Sequence, residues 1–310
     1  MATCHFKLMM ARLLGLAALL SAAPASAEPM AVVGILQGTA ILVRQTARFT
    51  LAEGAALLEG DIVETPADAY LQIEFGDGAI VGLGGLSRVI LRPTLTGVKA
   101  AAAPRLYLLE GWIKASPPAK PAAELVMLSP RVALNAEGGA AVLAVDSKGY
   151  AVFSERGSTH VVPRDSAGSA VTLKVGEFAS VAGTEKPGVA PRMSGPFLQG
   201  LPKMFRDTVP PRAALYAQRN PPPTLLGPVE YGDVKAWMHS EPGVRLALSR
   251  QWRSRASDRA FRADLVANLS AHMEWERVLF PERFLPKKPP PPPPPRPVVP
   301  AAPASAASAP

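Results

Sequence analysis

The sequence predicts a mainly β fold, a multi-strand solenoid or sandwich, followed by a small α-helical domain and a disordered proline-rich tail. Three observations lead there. Apolar residues recur at period two through the first half, as in Ile41/Val43, Leu71/Ile73/Phe75 and Val89/Leu91. Turn residues such as Gly76-Asp77-Gly78 cut that half into short runs. Composition then changes twice, to an Arg- and aromatic-rich stretch and finally to little but Pro, Ala, Ser and Lys/Arg.

The first 27 residues read as a signal peptide. Lys7 and Arg12 supply a positive start, residues 13–23 an apolar run, and Ala25-Ser26-Ala27 the small residues of a cleavage site that leaves Glu28 as the new N-terminus. The run is shorter than the ~20 residues a bilayer needs. An uncleaved anchor is the alternative, since Met9 and Met10 lengthen the run. No lipobox cysteine stands at the cleavage point, and the single cysteine, Cys4, leaves with the leader. The mature chain is thus expected to use neither disulfides nor thiol chemistry, and to have no transmembrane segment.

Residues 28–182 read as strands. The Gly60-Asp61 pair opens a run ending at Thr65; Tyr70 to Phe75 alternates; Gly76 to Gly78 turns; a return strand closes at Ser87, Val89 and Leu91. A second hairpin is expected at Asp146-Ser147-Lys148-Gly149 and a third at Glu155-Arg156-Gly157. No helical pattern interrupts these runs, so βαβ units are not expected.

Residues 183–228 read as a Pro-rich connecting region, with Pro187–Pro196 separating two folded zones and Asn220-Pro221-Pro222-Pro223 a rigid joint. Residues 229–285 read as a small helical domain. Ser240 is expected to cap a helix with Pro242 in its first turn, and Ser257-Asp258 to start another carrying Phe261, Leu265 and Leu269 at every fourth place. Trp275, Val278 and Leu279 should face inward. The tail, 286–310, holds seven consecutive prolines at 289–295, which fix φ and lack amide hydrogens. It reads as an extended spacer or docking strand, or as a tolerated disordered end.

The residues of the first zone resemble the periplasmic domain of the FecR family. The frame Gly60-Asp61-x-x-x-Thr65, the alternating strand, Asp77-Gly78 and the close Ser87-x-Val89-x-Leu91 carry the likeness. Flanking pieces extend it: Val33-Gly34 and Gly38 to Val43, Leu108 to Ile113 with Gly111, Ser129-Pro130 to Val145, and Gly176 to Val181. The resemblance implies a binding and signalling module rather than an enzyme. Family members that regulate sigma factors carry a cytoplasmic arm and a spanning helix ahead of this domain; only about a dozen residues precede the apolar run here, so the sigma-regulator function is not expected to carry over.

Charge divides along the same boundaries. Residues 28–200 carry 15 basic and 16 acidic side chains, net −1, whereas residues 201–300 carry 16 and 9, net +7. The full chain's +8, less Lys7 and Arg12, leaves +6. Arg253, Arg255, Arg259 and Arg262 form a basic cluster suited to phosphate or carboxylate, or simply a solvated helix face. Without a reading motif, nucleic acid is not an expected partner.

Chemistry is otherwise missing. There is no G-x-S-x-G elbow, P-loop, S-x-x-K, H-E-x-x-H or EF-hand loop, and Gly82, Gly84 and Gly85 complete no dinucleotide fingerprint. Asp61 with Glu64 and Glu74 with Asp77 are carboxylate pairs at turns or on a strand face expected to be exposed, where solvation or turn-shaping is the ordinary role. His239 and His272 lie far apart on different expected helices, so no metal-ligand spacing, catalytic residue or cofactor is assigned. The leading reading is an exported periplasmic scaffold or envelope sensor that binds another protein, strand addition being one route. The alternative is a protein that binds cell wall (peptidoglycan), lipopolysaccharide or other anionic envelope material through the basic helical domain.

Overall fold

The computed structural model describes residues 28–96, 103–118, 124–164, 168–183 and 187–285. Residues 1–27, expected as a signal peptide, and 286–310, expected as a disordered tail, lie outside the described residues. Sixteen strands form one continuous mixed sheet. It begins with β1 (Ala31–Gln37), β2 (Ile41–Arg44), β3 (Ala47–Thr50), β4 (Ala56–Leu57), β5 (Ile62–Glu64), β6 (Tyr70–Phe75), β7 (Ile80–Leu83) and β8 (Arg88–Leu91). It continues through the long β9 (Leu106–Ser116), β10 (Glu124–Leu128), β11 (Val132–Val145) and β12 (Gly149–Pro163), then β13 (Val171–Leu173), β14 (Phe178–Ala182), β15 (Gly188–Ala190) and β16 (Thr224–Pro228).

The pairings fold this sheet over itself. The C-terminal part of β9 pairs with β7 and β11, while its N-terminal part pairs with β8 and β10. One layer therefore runs β4-β1-β6-β7-β9-β11-β12-β14-β15, and the other β16-β3-β2-β5-β8-β9-β10-β11-β12-β13. β9, β11 and β12 belong to both.

Glycines mark where these three strands cross over. Side chains alternate across a strand, so a strand that leaves one layer for the other must change which parity points to the shared core. In β9 the core takes Leu106 and Leu108, then Ile113 and Ala115; in β11 Leu134 and Ala136, then Ala141 and Leu143; in β12 Tyr150 and Val152, then Val161. The switches fall at Gly111 (φ +104°), Gly138 (φ +64°) with Gly139, and Gly157 (φ +71°). A β-bulge inserts the one residue that the change of parity requires. The third expected hairpin, at Glu155 to Gly157, is therefore corrected: β12 continues through it, and Gly157 bends the strand instead of turning the chain. The hairpins at Gly76 to Gly78 and Asp146 to Gly149 are present, the latter with the Asp146 carboxylate accepting from the amides of Lys148 and Gly149.

Parts of both outer faces are covered, so β6 is buried on both sides, whereas the end of β12 keeps the half-buried alternation its period-two pattern implied, with Thr159 and Val161 buried and His160 and Val162 exposed. Tyr70, Gln72 and Glu74 are buried together with Leu71, Ile73 and Phe75. Over one layer lies the segment that follows β15, with helix α1 (Gly195–Gly200) capped by Ser194 and a 3-10 turn Lys203–Phe205. It buries Phe197, Leu201 and Phe205 against Ile35, Tyr70, Val142 and Phe178; each such side chain contributes roughly 1.5–3 kcal/mol. Residues 183–228, expected as a connecting region, thus add an end strand to each layer, β15 on β14 and β16 on β3, and cover one face.

The other face carries the helices: α2 (Tyr231–Met238), α3 (Pro242–Gln251), α4 (Arg259–Ala267) and α5 (Glu276–Leu279). Trp237, Trp252, Trp275, Phe261 and Leu265 pack with Val43, Ile62, Ile90, Tyr107 and Leu128 of the sheet. Polar ties add direction: Trp237 Nε1 donates to Glu64 at 2.8 Å, Trp252 Nε1 to the Gln45 carbonyl at 2.8 Å, and Arg164 forks onto Glu241 at 2.9 Å twice. Asp258 caps α4 as expected, accepting from the Phe261 amide. Ser240 does not cap α3; its hydroxyl bonds the Trp237 carbonyl at the end of α2, and Glu241 holds the cap position before Pro242.

Candidate functional site

The turns of the central motif converge on one cleft of about 730 Å³. Gly60-Asp61, between β4 and β5, and Gly76-Asp77, between β6 and β7, both line it, with Arg44, Gln45, Arg92 and Arg105. Gly60 (φ +79°) donates its amide to the Leu91 carbonyl, and Gly78 (φ +92°) closes the neighbouring hairpin. Asp61 is 1% exposed and fully engaged. It accepts the Leu58 amide at 2.8 Å and two guanidinium bonds from Arg44, at 2.8 and 2.6 Å. Arg44 lies one residue beyond the cross-strand pair Val43↔Ile62, so the β2–β5 register places it opposite Asp61.

Asp77 holds its turn through the Ala79 amide at 3.1 Å and pairs with Arg105 at 2.7 Å. The Arg105 hydrogen bond holds the Asp77 carboxyl below its usual range. Arg105 also lies over the Phe75 ring, 5.0 Å from its centroid. Arg92 differs: its side chain is 58% exposed and its one ion partner among the described residues, Glu59, stands at 3.6 Å with 59% exposure. Such an exposed pair contributes about 0–1 kcal/mol.

Strain gathers here too. Gln45 (φ +54°) and Arg92 (φ +41°), two non-glycine residues in the left-handed region, both line the cleft. That conformation costs roughly 1–2 kcal/mol for a residue with a Cβ.

The other motif residues form a buried knot away from the cleft. The Thr65 hydroxyl accepts the Ser87 amide at 3.1 Å and donates to the Gly84 carbonyl. The Ser87 hydroxyl accepts the Trp112 amide at 2.9 Å. A Cβ on Gly111 would stand 2.4 Å from the Ser87 Cα, so only glycine fits there. Thr65, Ser87 and Gly111 therefore join β5, β8 and β9 where β9 bends. The frame Gly60, Asp61, Thr65, Asp77, Gly78, Ser87, Gly111 thus divides into cleft turns and a crossover lock.

Glu74 was read as sitting on an exposed strand face; it is buried. Its carboxylate accepts the amides of Arg212 and Ala213 at 2.7–2.8 Å and the Gln72 amide at 2.9 Å, tying residues 206–213 across the sheet. Lys114 assists from β9, donating to the Phe205 carbonyl at 2.7 Å.

The arginine cluster is split by its own fold. Arg255 donates to the Val229 carbonyl and stacks on Phe261, and Arg262 donates to the Leu279 carbonyl and stacks on Phe280. Arg253 and Arg259 are exposed. Of the proposed cleavage pair, Glu28 is exposed at the cleft rim and Ala27 lies outside the described residues. His239 and His272, read as far apart, meet instead: the Tyr231 hydroxyl lies 3.3 Å from His239 Nε2 and 3.0 Å from His272 Nε2. Among the described residues no group of three His, Cys, Asp or Glu side chains is placed to hold a metal, and no helix is long and apolar enough to cross a membrane.

Sequence reasoning missed Arg44, Gln45, Arg92 and Arg105. They belong to three different strands or turns, and only the folded register brings them to the Gly-Asp turns.

No protein-family model matches the chain, and no curated protein matches it. Two crystal structures of a candidate anti-sigma factor from Parabacteroides distasonis ATCC 8503 are similar to it, at 15% and 16% identity and a TM-score of 0.35 each. Each match covers 42% of this chain and 59% of that one, so the chain spans less than two-thirds of that protein's length.

Proposed function

We propose that the chain is an exported, non-enzymatic FecR-like protein that works in the periplasm as a protein-binding scaffold or envelope sensor component, with the cleft at its Gly-Asp turns as the docking place. The carrying observation is the convergence there of both motif turns with two left-handed non-glycine residues, Gln45 and Arg92. Strain of this kind gathers where a surface is shaped for a ligand. The carboxylates of the cleft floor support a non-catalytic role. Asp61 is held by Arg44 and a backbone amide, and Asp77 by Arg105 and another, so both serve as turn anchors.

The polyanion reading is the weaker one, because Arg255 and Arg262 are engaged with carbonyls and rings of their own domain.

Site-specific photo-crosslinking in the cell tests the proposal. A benzophenone side chain at Gln45 is expected to trap one dominant envelope protein, while the same group at the exposed Arg250 is not. Equal capture from both positions, or sedimentation with the cell wall and no trapped protein, would overturn it. Intact mass of the exported protein, expected to begin at Glu28, checks export and cleavage.

A further inference from the structure

Arg44 is taken up by the buried Asp61 while the guanidinium of Arg92 stands exposed in the same cleft, and we infer that the cleft recognises a single carboxylate of an extended partner peptide through Arg92. The inference rests on the reading of this cleft as a protein-docking place.

The acceptors of the cleft floor are occupied. Asp61 takes three bonds, and Asp77 takes a guanidinium and an amide. The donors are not: a guanidinium offers five N–H groups, and the one ion partner of Arg92 among the described residues is Glu59, at 3.6 Å, beyond hydrogen-bonding distance. Arg92 is also the most exposed of the three arginines. A carboxylate accepts only, and matches the guanidinium fork in a bidentate way. Glu59 is then a weak internal competitor that an incoming carboxylate displaces.

The remaining lining selects a peptide over a polymer of charges. Glu28 and Glu59 sit in the same cleft, so a repeating polyanion would bring further negative groups against them. A peptide that presents one carboxylate beside apolar or basic residues meets Met30 and Leu58 with its apolar side chains and the two glutamates with its basic ones.

Fluorescence anisotropy on the mature protein tests this, using labelled acetyl-Leu-Lys-Glu-Leu-Lys-amide and the same peptide with Gln in place of Glu. The Glu peptide is expected to bind saturably and about tenfold more tightly than the Gln peptide. Arg92→Gln should erase that discrimination, and Arg92→Lys should reduce it, with unchanged circular dichroism showing that both fold. Glu59→Gln should act in the opposite sense, tightening Glu-peptide binding about threefold by removing the competitor. Equal affinity for the two peptides, discrimination that survives Arg92→Gln, or no saturable binding up to about 1 mM overturns the inference. Heparin binding more tightly than the Glu peptide overturns it in favour of a polyanion. If the peptides are not discriminated while crosslinking at Gln45 still traps a protein, carboxylate recognition falls and docking stands; loss of the crosslink removes both.

Discussion

Arg44 grips the buried carboxylate of Asp61 with two hydrogen bonds, 2.8 Å from Nε and 2.6 Å from Nη2, while a third from the Leu58 amide closes the turn beneath them. The pair fixes the first motif turn against β2 and forms the floor of the cleft. Asp61→Asn leaves the Arg44 charge without its partner in a largely enclosed place. It is expected to lower stability by roughly 2–3 kcal/mol. Chemical denaturation of the two proteins checks this; an unchanged midpoint would show that the pair is not structural.

The glycines of the motif are not equivalent. At Gly111 a Cβ meets the Ser87 backbone at 2.4 Å, whereas at Gly60 nothing lies within 4 Å. Gly111→Ala is expected to cost more than about 4 kcal/mol, or to prevent folding, because backbone must move. Gly60→Ala should cost only about 1–2 kcal/mol, for its left-handed backbone alone. Thermal melts of the two variants measure the difference, and similar losses would contradict the crossover lock.

Acid should weaken the helical domain through His272. This side chain is fully buried beside Tyr231, with His239, Glu274 and Arg245 as its charged or titratable neighbours, and burial lowers its pKa below 6.5. A histidine with a lowered folded pKa binds its proton more readily when unfolded. Stability is therefore lost as pH falls through about 6.5 toward the folded value, by at most about 1.4 kcal/mol per pH unit. Urea unfolding at pH 7, 6 and 5 should show this slope. His272→Gln should flatten it, and an unchanged slope would assign the effect elsewhere.

Glu74 holds residues 206–213 across the sheet by accepting two of their backbone amides. Glu74→Ala is expected to free that segment while the core persists. Limited trypsin treatment should then cut at the exposed Arg206 and Arg212 at least about tenfold faster, as local opening requires. Resistance equal to that of the parent would mean that Phe205 and the Lys114 hydrogen bonds keep the segment in place without Glu74.

Much of the fold was legible from turn chemistry and periodicity, because Gly-Asp turns and period-two runs are local signals. The Asp258 cap and the Phe261/Leu265 stripe were local as well. The bend at Gly157 was misread as a hairpin, since a glycine in a bulge and a glycine in a turn look alike until the partner strand is known. Glu74 was misread because nothing near it in sequence announces that residues 206–213 return to cover its face. The cleft was half legible: the motif named Asp61 and Asp77, but Arg44, Arg92 and Arg105 reach them only through the register of β2, β8 and β9. The meeting of His239 and His272 depends on the packing of two segments 33 residues apart, beyond any spacing rule.

The most direct measurement is to plug the cleft. The one cysteine of the sequence, Cys4, precedes residue 28, so in a chain begun at Glu28 the substitution Gln45→Cys gives a single labelling site, and Arg250→Cys on the exposed side of α3 gives the control. With a bulky maleimide at each position, titration against the protein trapped by crosslinking should show at least about a tenfold loss of affinity for the Gln45→Cys conjugate and none for the control. Unchanged affinity with the cleft plugged would contradict the assignment of the Gly-Asp turns as the docking place.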